Sequence, residues 1–184
     1  KYAIDQGICE NSDVGLKVET LGGIRTVIPR MRDNEVIGAQ VAMGLPYFRP
    51  EEIPVVIDAV LGEQVQDALV NYPINVGDTS LKLSFVSMGN PHAVAFIDSP
   101  VDQFPLHDIG PQIEHNPMFP NRTNFEIVNI IQKGQLQARV WERGSGETLA
   151  CGTGASAIAV VGNLLGITDH DVAIRLPGGI VKVT

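Results

Sequence analysis

The stretch GASAIAVVGNLL at residues 154–165 is apolar on every side of a helical wheel. Ala155, Ala157, Ile158, Ala159, Val160, Val161, Leu164 and Leu165 leave only Ser156 and Asn163 to face water. A helix without a polar face has to be covered on all sides, and at twelve residues it is too short for the ~20 that cross a bilayer. Its alanines let neighbouring backbones come close. This predicts a central helix wrapped by a curved sheet, and therefore an α+β chain.

The sheet has visible sources. Residues 16–21 and 24–28 alternate around Gly22-Gly23, a hairpin pattern, and residues 36–43 add a third strand. Residues 82–88, 93–97, 124–131 and 135–141 are rich in β-branched side chains. Residues 172–176 and 180–183 form a further pair turned by Pro177-Gly178-Gly179, and 107–115 read as a short surface helix. Between residues 44 and 55 three prolines interrupt any regular pattern, so an extended connector and a domain boundary are placed there. The predicted division is 1–45 and 46–184. The opening KYAIDQGIC reads as the last turns of a helix, and the closing LPGGIVKVT stops inside a strand pattern, which suggests a piece of a longer protein.

With 44% hydrophobic and 18% charged residues, the 184-residue chain can bury a sizeable core. A net charge of −8 argues against nucleic acid or an anionic membrane as a partner. Cys9 and Cys151 are the only cysteines. Two thiols 142 positions apart permit a disulfide but do not suggest one, and a reducing cytoplasm is the expected location. His92, His107, His115 and His170 lack ligand spacing, so no metal is expected.

The run ERGSGETLACGTGA, residues 142–155, places Cys151 between two glycine pairs and directly before the buried helix. Buried cysteines are commonly inert. One at a helix start, however, feels the positive end of the helix dipole, which should lower its pKa and favour thiolate. Gly152, Thr153 and Gly154 add backbone N–H groups suited to a carboxylate. A basic sulfur beside a carboxylate cradle is what proton abstraction next to an amino acid's carboxylate requires. The run lacks the Gly-Lys-Ser/Thr ending of a P-loop, and its glycines miss the dinucleotide spacing. Its surroundings also lack the papain-like and caspase signatures.

Glu142 and Arg143 close a strand. As neighbours they point to opposite faces, so each is free for a separate partner: arginine for a carboxylate, glutamate for an ammonium group. SMGNPHAV, residues 87–94, and NRTNFEIV, residues 121–128, carry Asn90, His92 and Asn124 at strand ends. Alone, each reads as turn chemistry or a structural histidine.

Taken together and in order, SMGNPHAV, NRTNFEIV and WERGSGETLACGTGASA resemble the diaminopimelate epimerase family, with VAMGLPYF and LPGG as lesser matches. The similarity covers nearly the whole chain. It implies two pseudo-symmetric domains, each a mixed, mostly antiparallel sheet curled around a central buried helix. It also implies a homodimer and a cofactor-independent inversion of one α-carbon of LL-diaminopimelate to the meso isomer, in lysine and peptidoglycan synthesis. Two opposed cysteines would act, one as thiolate and one as thiol, because a single base returning its proton to the same face restores the starting isomer.

On that resemblance Cys151 is one acid/base residue. Gly152 and Thr153 hold the reacting carboxylate, Asn90, Asn124 and Arg143 bind the distal end, Glu142 pairs with an ammonium group, and His92 supports the reacting centre. The family's other cysteine lies in a CGNG-type motif, which this chain lacks; Cys9 has no glycine cradle and is not its substitute. A related racemase of another amino acid, or a non-catalytic binding module keeping this half-site, are the competing readings.

Overall fold

The computed structural model describes residues 1–9, 14–20 and 23–184. Its chain forms two compact units, Lys1–Gly44 and Leu45–Thr184.

The first unit opens with a four-residue helix, α1 (Tyr2–Asp5), where a helical tail was expected. It continues as an antiparallel meander of β1 (Leu16–Thr20), β2 (Gly23–Arg32) and β3 (Glu35–Val41). Thr20 pairs with Gly23, so Gly23 belongs to the strand and not to the turn; Leu21 and Gly22 lie outside the described residues. The second hairpin closes through Asp33 and Asn34, both at positive φ, the two-residue turn whose twist matches paired strands. Ile24 and Ile37 stay more than half exposed.

The second unit carries the core. Short strands β4 (Glu63–Val65) and β5 (Ala68–Val70) pair with each other. Then come β6 (Tyr72–Val76), β7 (Thr79–Ser87), β8 (Pro91–Phe96), α2 (Leu106–Glu114), β9 (Asn124–Gln132), β10 (Gln135–Glu142), β11 (Gly146–Thr148), α3 (Gly152–Leu164), β12 (Val172–Leu176) and β13 (Gly179–Val183). The main sheet runs β13-β12-β10-β9-β8-β7-β6. Pairs β8/β9 and β10/β12 are parallel and the others antiparallel. β10 has β9 along one edge, while the other edge pairs first with β12 and then, near Glu142, with β11.

Alternation along the strands gives the sheet two apolar faces. Phe85, Ala93, Ala95, Phe125 and Ile127 point to one face and form a cluster with Leu106, Ile109 and Ile113 of α2. The intervening residues, including Val86, Val94 and Val128, are fully buried on the other face. There α3 packs against β7, β8, β9 and β13. Strands from both ends of the sheet order thus touch one helix, so the sheet curls around it as its all-round apolarity requires. Ala155, Ala157 and Ile158 are inaccessible to solvent.

The strands β4, β5, β6 and β11 escape the sequence pattern because three are only three residues long and β6 contains Pro73. That proline is tolerated because β6 is the last strand of the sheet. The proline-rich segment is more than a connector: Tyr47 exchanges two 2.9 Å backbone hydrogen bonds with Ser87, and Ile53 is 1% exposed.

Trp141 joins the layers. Its indole lies against Gly110 of α2, where an added Cβ would sit 2.6 Å from the ring. In an open helix Gly→Ala stabilises by about 1 kcal/mol; here overpacking reverses the sign. Gly110→Ala should destabilise the protein by about 1–3 kcal/mol, read as a lower urea midpoint at unchanged slope.

Candidate active site

The hairpin joining β10 to β11 turns through Arg143, Gly144 and Ser145, with Gly144 and Gly146 at φ 79° and 78°. Two side chains distant in sequence hold its backbone. Asn124 Oδ1 accepts from the Arg143 N–H at 2.9 Å, and Glu114 Oε1 accepts from the Gly144 N–H at 2.9 Å. The other Glu114 oxygen takes the Trp141 indole N–H at 2.8 Å, with Arg122 3.5 Å from Oε1. Burial alone would raise the Glu114 carboxyl. The Trp141 and Gly144 donors, with the His115 and Arg122 charges, outweigh it and hold the group below the usual carboxylate range. The loop is therefore fixed by a buried anion.

Downstream, the Gly178 N–H donates to the Leu149 carbonyl at 2.7 Å. A Cβ on Gly178 would lie 2.9 Å from that oxygen. The turn after β12 thus needs glycine to press against the segment leading to Cys151. Leu176 pairs with Gly179, so Pro177 and Gly178 make the turn and Gly179 begins β13.

Cys151 is the N-cap of α3, with extended backbone at φ −136° and ψ 114°. Its sulfur receives the Gly154 N–H at 3.4 Å and lies 3.4 Å from the Thr153 hydroxyl. The helix starts at Gly152, two residues before the apolar stretch read at 154–165. Among the described residues the amides of Gly152 and Thr153 donate to no protein acceptor, so both remain available at the helix end.

The expectation of a lowered thiol pKa is corrected. Burial pushes Cys151 up from 9.0 to about 11, and the Glu126 and Glu142 carboxyls add to that against Thr153 and Gly154. The residue is 7% exposed. Such a shift corresponds to about 3 kcal/mol against the thiolate, whereas a helix terminus returns only about 0.3–1 kcal/mol. Desolvation wins.

The other predicted residues sit at the ends of β8, β9 and β10. His92 and Asn124 are in register on β8 and β9. His92 is completely buried, with Nδ1 2.7 Å from Glu126 Oε1 and Nε2 3.0 Å from Asn90 Oδ1. Glu142 accepts the Thr148 hydroxyl at 2.6 Å and does not pair with Arg143, which agrees with their opposite faces. Arg143 is exposed and donates from Nη1 to the Asn121 carbonyl at 3.1 Å. Asn124 is 3% exposed and spends its oxygen on Arg143 and one amide hydrogen on the Pro91 carbonyl at 2.8 Å. Cys9 lies in the other unit.

Three contributors were not singled out in the sequence: Glu114, Glu126 and Thr148. For Glu126 a signal exists, since it is the one acid in FEIV, a run too apolar for a strand with a wet face. Among the described residues no cluster of His, Cys, Asp or Glu could hold a metal ion, and no helix is long and apolar enough to cross a membrane.

The mixed sheet curled around a central helix is a fold also found in solved racemase and epimerase structures. A probable proline racemase from Agrobacterium radiobacter superposes with a TM-score of 0.65 over 98% of this chain and 55% of that one, at 15% identity. The sequence profile of the family described as diaminopimelate epimerase matches residues 84–184. Proteins named diaminopimelate epimerase from Acetivibrio thermocellus and Brachyspira hyodysenteriae are 42% and 43% identical, each over 97% of this chain. The chain spans 60% and 61% of their lengths. It belongs to the diaminopimelate epimerase family.

The burial of Cys151 sets its reactivity. Iodoacetamide at neutral pH should modify the half-buried Cys9 first, and the rate at Cys151 should climb as pH rises toward 11. Peptide mass mapping of a pH series reads both, and faster labelling of Cys151 at neutral pH would overturn the burial argument.

Proposed function

We propose that these residues form one half of the active site of a cofactor-independent epimerase that converts LL-2,6-diaminopimelate to the meso isomer. The observation that carries the reading is the buried Cys151 thiol capping α3 beside the unoccupied amides of Gly152 and Thr153. Family membership and the spacing of Asn90, Asn124, Glu142 and Arg143 support the choice of substrate.

The chemistry follows from the geometry. A substrate carboxylate set on the Gly152 and Thr153 amides lies at the positive end of α3. When the neighbouring α-proton leaves, negative charge moves onto the carboxylate oxygens, where those amides stabilise it most. Cys151 rests as the thiol, so in this direction it is the acid: it delivers its proton to one face of the planar α-carbon. The resulting thiolate keeps the Gly154 N–H and the Thr153 hydroxyl as donors. A base on the opposite face takes the original proton, so one proton enters and one leaves and the configuration inverts. In the reverse direction the Cys151 thiolate is the base. The opposing group is the cysteine of the family's CGNG-type motif, which these 184 residues do not contain.

Arg143 has guanidinium donors free for the distal carboxylate, and Glu142 offers an anion for an ammonium group. His92 stands behind the reacting centre. A role in lysine and peptidoglycan precursor synthesis, a cytoplasmic location and a homodimer complete the reading.

The test is stereochemical. The intact gene product, free of pyridoxal phosphate, should form meso-diaminopimelate from LL-diaminopimelate in D2O, with deuterium at one α-carbon. Cys151→Ser should lower kcat by about 10²–10⁴, since serine is a poor acid/base near neutral pH. These 184 residues alone should show no turnover. Inversion of another amino acid with LL-diaminopimelate untouched would overturn the substrate, and turnover by the 184 residues alone would overturn the two-cysteine scheme.

A further inference from the structure

Glu126 is fully buried, and the reaction scheme above gives it no part. Because β8 and β9 run parallel with His92 opposite Asn124 and Val94 opposite Glu126, His92 and Glu126 meet diagonally on the face that carries α3. Glu126 Oε1 lies 2.7 Å from His92 Nδ1, and His92 Nε2 lies 3.0 Å from Asn90 Oδ1. Among the described residues the second Glu126 oxygen, also buried, has no hydrogen-bond partner. A Cβ on Gly154 would stand 3.0 Å from Oε1, so the first turn of α3 closes over the carboxyl.

An isolated anion in that position would leave one oxygen bare. The ionisable groups around it are His92 on β8, Glu142 on β10 and Cys151 before α3. Burial raises the Glu126 carboxyl and Glu142 adds to that, against the pull of His92. A proton shared across the 2.7 Å contact, held either as acid and imidazole or as carboxylate and imidazolium, relieves the bare oxygen. In both arrangements Nδ1 is satisfied by Glu126 and Nε2 carries a hydrogen. That hydrogen needs an acceptor, and Asn90 Oδ1 supplies it. Without the shared proton, Nδ1 would carry the only ring hydrogen and donate it to a carboxylate. Nε2 would then be an acceptor, and the Asn90 amide would have to turn over to meet it.

We propose that Glu126 is a positioning residue which, through His92, turns the Asn90 amide so that its N–H donors and not its oxygen are offered to the bound amino acid. At this point the site then selects an acceptor oxygen, as a carboxylate provides, and rejects a donor. The proposal rests on the reading above that Asn90 contacts the substrate, while the proton arrangement behind it stands independently.

The first measurement needs no substrate. In protein labelled with 15N-histidine, the His92 ring at neutral pH should show a protonated Nε2; a bare Nε2 with hydrogen on Nδ1 alone overturns the proposal. Glu126→Gln can meet Nδ1 with either its oxygen or its amide hydrogens, so it no longer dictates the ring proton. In the intact gene product KM for LL-diaminopimelate should rise about tenfold with kcat within about threefold, and the Nε2–H signal should weaken. Unchanged KM together with an unchanged ring spectrum overturns the proposal. Asn90→Asp keeps an acceptor for Nε2–H but faces the ligand with oxygen. It should retain the His92 spectrum and raise KM at least about tenfold, and an unaltered KM overturns the donor assignment. If the gene product leaves LL-diaminopimelate untouched, the functional reading fails, and the ring spectra of wild type and Glu126→Gln decide the Glu126–His92 arrangement alone.

Discussion

Everything at the site depends on α3 being gripped by a sheet curled around it. The helix has no face for water, so strands from both ends of the sheet order close on it. Small residues make the closeness possible. At Gly162 a Cβ would fall 2.9 Å from the Thr168 hydroxyl, and at Gly154 it would press on Glu126 and Cys151. Each fully buried Ile or Val side chain contributes about 1.5–3 kcal/mol, which is enough to hold the helix start where its amides and thiol are useful. The geometry of the candidate site is thus a by-product of core packing.

The same grip decides the chemistry of Cys151. A helix terminus favours thiolate and burial favours thiol; burial is the larger effect because the surrounding strands exclude water and bring two carboxyls nearby. A thiol at rest suits the acid half of the proposed inversion, in which one sulfur starts protonated and the other not. The enclosure that raises this pKa also strengthens the few donors that receive the thiolate once it forms.

Buried carboxyls serve two purposes on the two sides of the sheet. Glu114, with both oxygens engaged by donors, stays ionised and fixes the Arg143–Gly144 turn from the α2 side of the sheet. Glu126, on the α3 side, has a bare oxygen and a raised pKa, and faces His92 at 2.7 Å. Identical side chains thus have their carboxyl pKa moved in opposite directions according to how many donors the fold supplies.

How much of this could be read beforehand follows from the range of the forces involved. The buried helix, the long strands and the motif around Cys151 were legible because period and turn chemistry are local. The stretches Pro91–Phe96, Asn124–Gln132 and Gln135–Glu142 all carry their pattern within themselves. Three-residue strands have no period to show, and β6 hides behind its proline. The candidate residues were identifiable by type and spacing, but their states were not. That Asn124 spends its amide on Pro91 and Arg143, that Cys151 is a thiol, and that Glu126 reaches a histidine 34 positions away are products of strand register and enclosure. The sequence by itself determined which groups would be present and on which elements. Only the tertiary structure decided their charge and orientation, because desolvation and diagonal contacts between strands exist only once distant segments have packed.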